Sequence, residues 1–518
     1  MTLCKLNRTE ARASLFLPIL CFLLGACSNG SSNDLNNISL PSTLGVPGAD
    51  NANTVAVPAA TVEGPLVGAP VLVSTFFSLA SQGYQQSEHL VSGTANAYTN
   101  VNAFDPDGHW QVQASVQAAY KTRIVVNRPI DPADFNGTVV VEWLNVTAGF
   151  DSAPDWGMLH KELIRKGYAW VGVTAQKVGV DSLIDGSAAA LTGGGDPLRY
   201  ASLKHPGDSY AFDIYSQVAQ AIREPGEIAP LGGLVAQRLI AAGESQSAHY
   251  MLTYVNALAP LHALYDGYFI HSRLASSAGL IGEFREDSDT IPQEVRVRTD
   301  LGTPVMMLQT ETDLFVLGSY PSRQDDSSNF RLWEVAGTAH ADLYTFLDNR
   351  VDVGSDPRIA AVVENAAPIP GIIDCSEPVN AGPQHFVASA AIRALNTWIV
   401  DGTPPAMADR LEVAGTPAAF VRDDLGNAEG GVRTPYVDAP IAILSGEGQP
   451  REGSRFCFLS GTTYLFDAST LGSLYADNAA YIDAVNRSAD DAVGKGFLLP
   501  EDAQLIKTYV AGSDIFAP

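Results

Sequence analysis

The sequence predicts an α/β protein whose centre is a mostly parallel, doubly wound sheet. Residues Thr138–Leu144 form a β-branched run that is typical of a strand buried on both faces. After this run, short apolar segments alternate with helical patterns, which indicates the crossover connections of a parallel sheet. Before it, strand-like segments are broken by turn residues, which indicates an antiparallel opening.

The individual elements follow in chain order. Four strands form the antiparallel opening, namely Val71–Leu79, Ala95–Val101, Gln111–Val116 and Tyr120–Val126. Five strands follow Thr138–Leu144, namely Ala169–Ala175, Leu239–Ala242, Gly267–His271, Pro304–Gln309 and Phe330–Val335. Four helices accompany them, namely Trp156–Lys166, Phe212–Arg223, Gln246–Leu258 and Phe386–Val400. We expect the first helix to end at Gly167 and the last at Gly402, because glycine is common just after a helix.

Three inserts and a C-terminal extension surround this predicted core. The inserts lie at 176–207, 272–302 and 341–384, and we expect them to act as lid-type segments over the site. The extension covers 406–518 and contains short strand-like pieces and a terminal helix. These are Leu411–Val413, Ile441–Leu444, Tyr464–Phe466 and the helix from about Glu501 to Val510.

The N-terminus predicts export. Residues 1–26 combine a basic start with an apolar run, Leu15–Leu24, that is too short to span a bilayer stably. Its end, Leu24 to Cys27, resembles the lipobox of bacterial lipoproteins, which implies a lipidated Cys27 and a mature chain that begins there. Ser28 stands where an Asp would favour retention in the inner membrane, so the resemblance implies the outer membrane of the cell envelope. Residues 27–55 are rich in Ser, Asn, Gly and Pro and predict a flexible tether.

Charge and cysteine content narrow the classes of function. The chain carries 31 Lys and Arg against 57 Asp and Glu, a net charge of −26. This excess argues against a nucleic-acid partner and against docking on anionic lipid, so we expect membrane contact only through the lipid anchor. Of the five cysteines, we expect two to leave with the signal peptide, and the lipobox resemblance implies that Cys27 is lipidated. We expect the remaining pair, Cys375 and Cys457, to form a disulfide, as is usual in exported proteins.

One short motif suggests a nucleophile. Gly243-Glu244-Ser245-Gln246-Ser247 lies between a predicted strand and a predicted helix, where the G-x-S-x-G turn of a serine hydrolase is found. Small residues on either side allow strand and helix to approach closely. The alternative is a plain helix N-cap, in which Ser245 or Ser247 satisfies N–H groups of the first turn.

A base and an acid follow in the order that this chemistry requires. His340 comes just after the strand Phe330–Val335, and Asp313 comes just after Pro304–Gln309. Because carboxyl ends of parallel strands meet at one edge of a sheet, we expect both residues near Ser245. We assign Ser245 as nucleophile, His340 as general base and then acid, and Asp313 as the orienting carboxylate. Glu311 is the rival for the acid.

Backbone donors for an oxyanion should come from two places. Gln246 follows the nucleophile, and the loop after Thr138–Leu144 offers Asn145 or Val146. The other histidines have simpler interpretations: His249 as packing, His271 as pocket lining and His205 as part of a turn. His109 lies in a segment that faintly resembles the start of a calcium loop but lacks the later ligands, so we expect no metal and no cofactor.

These segments together resemble the α/β-hydrolase superfamily, and more closely the exported bacterial family known as the "alpha/beta hydrolase domain" family. The resemblance covers about 60 to 515 and includes Ser247 in place of the last glycine. The segments that carry it are Val141–Asn145, His205–Asp208, Ala242–Ala248, Gln309–Asp313, Trp333–His340, Gly426–Pro435 and Gly496–Pro500. It implies a serine hydrolase fold in which residues 56–518 form one domain, with the core at 56–405 and the extension 406–518 included. It names no substrate.

The leading hypothesis is therefore a lipid-anchored hydrolase of small-molecule or lipid-like carboxylic esters, working through an acyl-enzyme. Amides and thioesters suit the same chemistry. Two alternatives remain: a non-catalytic surface lipoprotein that kept the fold for binding, and an acyl transferase that uses the same triad and excludes water.

Overall fold

The structure is a computed structural model that describes residues 54–72, 75–187, 197–282, 291–451 and 456–516. The predicted signal peptide, Cys27 and nearly all of the predicted tether lie outside these residues. Within the described ranges, no helix combines the length and the apolar character that crossing a membrane requires.

A nine-stranded sheet forms the centre of the described structure, in the order β1-β2-β3-β5-β4-β6-β7-β8-β9. Its strands are β1 Thr61–Glu63, β2 Tyr84–Asn100, β3 Val112–Pro129, β4 Thr138–Trp143, β5 Ala169–Val173, β6 Arg238–Glu244, β7 Gly267–His271, β8 Val305–Thr310 and β9 Phe330–Val335. The pairs β1/β2, β2/β3 and β3/β5 are antiparallel. All later pairs are parallel. The predicted fold class, an antiparallel opening followed by a parallel sheet, is confirmed.

Two predictions in the antiparallel opening are wrong. The segments Gln111–Val116 and Tyr120–Val126 belong to one strand, because the residues between them keep pairing with β2. The outer part of this strand faces solvent, so the sequence lacks the apolar alternation that would have shown its continuity. The segment Val71–Leu79 forms no strand in its described part, and the Val71 N–H donates to the hydroxyl of Tyr200 instead of to a neighbouring strand. Its end starts a 3-10 helix, Leu79–Gln82.

The parallel strands are buried on both faces, as the β-branched run predicts. In β4, Val139, Val141 and Trp143 face one layer, whereas Val140 faces the other. The helices Ala211–Arg223 and Gln246–Thr253 cover the first face, and Pro154–Arg165 and Gln384–Asp401 cover the second. This layering leaves the carboxyl edge of the strands, where the predicted site residues lie, uncovered by the two helix layers.

The remaining helices lie in the connections and in the extension. The α-helices are Lys177–Ile184, Pro197–Tyr200, Ala259–His262, Glu311–Phe315, Pro435–Asp438, Ala468–Leu474, Asn478–Lys495 and Pro500–Ala511. Tyr254–Leu258 and Tyr344–Asp348 are π-helical. The 3-10 turns not yet given are Pro132–Asp134, Asp208–Tyr210, Tyr320–Ser322, Pro357–Ala360 and Cys457–Leu459.

The extension packs against the main sheet and also has an apolar cluster of its own. It contains two small hairpins, Val413–Ala414 with Ala419–Phe420 and Ala442–Ser445 with Thr462–Leu465. Buried ion pairs attach its last helix, since Asp502 binds Arg165 of the helix Pro154–Arg165. The long helix Asn478–Lys495 has no counterpart among the sequence predictions. Its buried residues belong to the apolar cluster of the extension and not to the two clusters that cover the sheet.

The predicted disulfide is present between Cys375 and Cys457, across a sequence separation of 82 residues. It joins the insert 341–384 to the extension. Two residues beyond Cys457, the Leu459 carbonyl accepts a hydrogen bond from the N–H of Ala341, which directly follows His340. The disulfide therefore ties two segments that meet at the loop carrying His340.

Removing this disulfide is expected to destabilise the protein. A cross-link that closes a loop of this length restricts the unfolded chain, and its loss typically costs about 2–5 kcal/mol. We expect the double variant Cys375→Ala, Cys457→Ala to unfold at a lower denaturant concentration than the wild type under non-reducing conditions. If the double variant and the wild type unfolded at the same denaturant concentration under these conditions, the disulfide would not be stabilising.

Candidate active site

Ser245 lies on a strained turn at the carboxyl end of β6. Its backbone has φ 57° and ψ −117°, a conformation that residues other than glycine rarely adopt. The Ser245 N–H donates to the carbonyl of His271 in β7, which holds the turn against the sheet. The side chain makes no capping hydrogen bond to the helix Gln246–Thr253. The geometry therefore disfavours a plain N-cap and leaves the hydroxyl available for other contacts.

Gly243 is required by the close approach of strand and helix. A Cβ at this position would lie 2.9 Å from the backbone carbon and oxygen of Ser247. Real Cβ atoms are not found that close to backbone, so any larger residue would push the helix away. This is the steric reason for small residues in the motif, and at the second position Ser247 is small enough.

The three predicted site residues lie in one chain of hydrogen bonds. His340 Nε2 lies 2.8 Å from Ser245 Oγ, and His340 Nδ1 lies 2.7 Å from Asp313 Oδ1. Asp313 is fully buried, His340 is nearly so and Ser245 is partly exposed. The structure thus brings together side chains that are separated by 95 and 27 positions in sequence.

A helix cap explains why Asp313, and not Glu311, is the carboxylate that contacts His340. Thr310 and Asp313 form a capping box at the start of the helix Glu311–Phe315, in which the Thr310 N–H donates to Asp313 Oδ2 at 2.6 Å. This bond turns the other carboxylate oxygen of Asp313 toward His340. Glu311 points elsewhere, and its oxygens accept the N–H groups of Gly337 and Gly446. Glu311 therefore joins the His340 loop to the extension and does not contact His340.

The extension contacts the loops that carry His340 and Asp313. The Thr312 hydroxyl donates to the carbonyl of Gly446 and accepts the N–H of His340 at 3.2 Å. A Cβ on Gly446 would lie 2.4 Å from the N atom of Thr312, so the two segments are in direct contact. Residues 406–518 thus help to fix the loops that hold His340 and Asp313.

The predicted oxyanion donors differ in their surroundings. The Asn145 N–H donates to the Ser152 carbonyl at 2.9 Å, so this donor is already engaged. The Val146 N–H donates to Oε1 of the Gln246 side chain at 3.2 Å, which places it beside the residue that follows Ser245. Gln246 is the first residue of its helix, where an N–H has no intrahelical acceptor. The structure favours Val146 over Asn145 as the partner of Gln246.

The other histidines lie apart from the Ser245 hydroxyl. His249 Nδ1 lies 3.1 Å from the Ser276 carbonyl, and burial lowers its pKa to about 4, consistent with packing. His205 binds the carbonyl of Ala175, and His109 contacts Asp107 and Asp300 at 3.6 Å. His271 is fully buried and Nδ1 lies 2.9 Å from Asp155 Oδ1, so it lies behind the site and does not line a pocket. In the described part of the chain, no three His, Cys, Asp or Glu residues are grouped to hold a metal ion.

A fourth ionisable residue, Glu244, reaches the same histidine. Glu244 Oε1 lies 3.3 Å from His340 Nε2. Burial raises the pKa of Glu244 to about 7, against the opposing effects of His340 and His271. Burial lowers the pKa of His340, but the carboxylates of Glu244 and Asp313 outweigh it, so the pKa of His340 is raised. Glu244 was not among the site residues predicted from the sequence. The available signal is the position of Glu244 directly before Ser245 in the motif.

Comparisons with known proteins identify the family. A family model described as an alpha/beta hydrolase domain matches residues 51–508. No curated protein matches the chain. Among solved structures, a thermostable esterase from Pseudomonas putida is 12% identical, with 46% of this chain and 67% of that chain covered and a TM-score of 0.24. One of two fungal esterases from Rhizomucor miehei is 13% identical, with 51% and 78% covered and a TM-score of 0.26. Because the family match spans most of its length, this chain belongs to the alpha/beta hydrolase domain family and is a hydrolase.

Proposed function

We propose that this hydrolase is a serine hydrolase of carboxylic esters, held in the bacterial cell envelope by a lipid on Cys27. The observation that carries the proposal is the hydrogen-bonded chain from Ser245 through His340 to Asp313, on a strained turn at the carboxyl edge of the sheet. A hydroxyl, an imidazole and a buried carboxylate in this order are what nucleophilic serine chemistry requires.

The proposed reaction has two halves. In the first, His340 Nε2 takes the proton of Ser245 as Oγ attacks the ester carbonyl, and then gives it to the departing alkoxide. In the second, His340 takes a proton from the water that attacks the acyl-enzyme. It then returns this proton to Ser245 Oγ as the carboxylic acid is released. Asp313 holds Nδ1–H throughout, so that Nε2 faces Ser245 and the imidazolium is stabilised. These steps need no cofactor.

The developing oxyanion would be bound by the N–H groups of Gln246 and Val146. Two such donors lower the barrier because they meet the charge only as it forms, and the loss of one costs about 10²–10³ in turnover. In the structure the Gln246 side-chain oxygen accepts the Val146 N–H. The oxyanion would take the place of this amide oxygen as the acceptor.

The test is covalent labelling followed by identification of the labelled residue. We expect a fluorophosphonate probe to modify the protein at Ser245, as read by mass spectrometry of the labelled peptide, and to abolish hydrolysis of p-nitrophenyl esters. A series of acyl lengths then measures which esters are accepted. A folded protein that is not labelled and hydrolyses no ester in the series would contradict the proposed serine esterase function.

A further inference from the structure

Glu244 is a buried carboxyl beside His340 that the Ser-His-Asp chain does not use. Its Oε1 lies 3.3 Å from His340 Nε2, the same nitrogen that lies 2.8 Å from Ser245 Oγ. Glu244 is only 8% exposed, so water does little to screen its interaction with the imidazole. His340 therefore has carboxyl groups at both of its nitrogens, Asp313 at Nδ1 and Glu244 at Nε2.

The charged groups around this pair come from several elements. Asp313 faces it from the helix after β8, and His271 from the end of β7. Asp155, at the start of the helix Pro154–Arg165, binds His271 and also acts on Glu244. Asp342 lies two residues after His340 and acts on His271. Apart from the two histidines, these groups are acidic, so the surroundings favour keeping a proton on the pair.

We propose that Glu244 is a positioning residue that shares one proton with His340, and that loss of this proton makes Nε2 available to Ser245. The inference rests on the proposed function, because it assigns His340 as the base for Ser245. It adds a second carboxyl to the catalytic arrangement and predicts how the reaction depends on pH.

The sharing follows from the position of Nε2. When the pair holds one proton, either Nε2 carries it and donates to the Glu244 carboxylate, or a protonated Glu244 donates to Nε2. In both arrangements Nε2 cannot accept the proton of Ser245. When the pair has lost this proton, Glu244 is a carboxylate and the lone pair of Nε2 faces the Ser245 hydroxyl. After Nε2 has taken the serine proton, the same carboxylate stabilises the imidazolium.

The expected titration agrees with this arrangement. The pKa of His340 is raised, after the lowering effect of burial, by Glu244 and Asp313, and burial raises the pKa of Glu244 to about 7. The proton of a coupled pair belongs to the pair and not to one residue. The low-pH limb of the pH–rate profile therefore reports the loss of the shared proton. Because the Glu244 carboxylate raises the pKa of His340, removing its charge must move this limb to lower pH.

The experiment compares Glu244→Gln with the wild type. Gln has nearly the same shape and keeps a polar contact, but it removes the charge and the titratable group. We measure kcat/KM for p-nitrophenyl acetate, and the rate of inactivation by diisopropyl fluorophosphate, between pH 4 and pH 9. We express kcat/KM of each protein as a fraction of its own high-pH plateau. At a pH where this fraction is about one tenth in the wild type, we expect it to be roughly fivefold larger in Glu244→Gln. We also expect the plateau itself to fall, because the imidazolium loses a counter-charge.

Glu311→Gln is the matched control, since it removes a buried carboxyl nearby that does not face His340. It should leave the position of the low-pH limb unchanged. Glu244→Asp retains a carboxylate and should lie closer to the wild-type profile than Glu244→Gln does. If Glu244→Gln lowered the plateau of kcat/KM but left the low-pH limb at its wild-type position, the shared proton would be refuted. Glu244 would then have a purely structural role. The proposed function would survive that result if Ser245 is still labelled, whereas an unlabelled wild type would refute the function itself.

As a readout that does not depend on turnover, the imidazole resonances of His340 can be followed by NMR during a pH titration. In the Glu244→Gln variant, His340 should deprotonate at lower pH than in the wild type. An unchanged titration of His340 would overturn the inference even in a variant of low activity.

Discussion

Replacing Ser245 by alanine is expected to lower kcat for short p-nitrophenyl esters by about 10⁴- to 10⁶-fold. The change removes the atom that attacks the ester, while the loops that hold His340 and Asp313 keep their own hydrogen bonds. Whatever rate remains would come from water acting with the backbone donors. The measurement is steady-state hydrolysis, with fluorophosphonate labelling of the same preparations as a second readout.

Ser247→Ala is the matched control for this variant. Ser247 lies two residues further along the motif and is fully buried, and its side chain does not contact His340. We expect it to keep activity within about tenfold of the wild type and to remain labelled. Persistent labelling of Ser245→Ala, or equal losses in the two variants, would contradict Ser245 as the nucleophile.

The strands and helices around Ser245 could be predicted because their patterns are local. Thr138–Leu144 shows burial on both faces by its composition, and Gly243 shows a close approach by its lack of a side chain. The chain order of serine, acid and histidine placed three residues at one sheet edge without any knowledge of distances. What the sequence could not decide was the direction of two side chains. The capping bond from Thr310 orients Asp313, whereas distant backbone N–H groups bind the carboxylate of Glu311.

Other features depend on contacts that no local pattern records. The role of Glu311 arises from Gly446, which is more than a hundred residues away in the extension. The segment Val71–Leu79 forms no strand in the part that the structure describes, and at its start the buried Val71 N–H donates to a distant Tyr200 side chain. Glu244 is beside His340 only once β6 and the loop after β9 are aligned in the sheet. These are tertiary effects. The sequence therefore predicted the fold and the proximity of Ser245, His340 and Asp313 better than the residues that surround them.

Replacing Asp313 by asparagine is expected to lower kcat by about 10⁴-fold, with little change in the fold. The capping bond gives a specific reason. The Thr310 N–H needs an acceptor, so the amide oxygen of Asn would face Thr310 and its NH₂ group would face His340 Nδ1. Nδ1 must then accept a hydrogen bond, which forces the proton of the neutral imidazole onto Nε2. That tautomer cannot take the proton of Ser245.

Glu311→Gln is the control for Asp313→Asn. It also replaces a carboxylate by the amide of the same length, but at the residue that was the alternative candidate for the acid. Its amide would keep one acceptor for Gly337 or Gly446 and present a donor to the other, which loosens the contact between the His340 loop and the extension. We expect a lower unfolding temperature but a loss of kcat below about tenfold, since the bond between Asp313 and His340 remains. If Glu311→Gln lost as much kcat as Asp313→Asn while both stayed folded by circular dichroism, Asp313 would not be the residue that orients the base. If Asp313→Asn kept most of its activity, Asp313 would not be the group that sets the tautomer of His340.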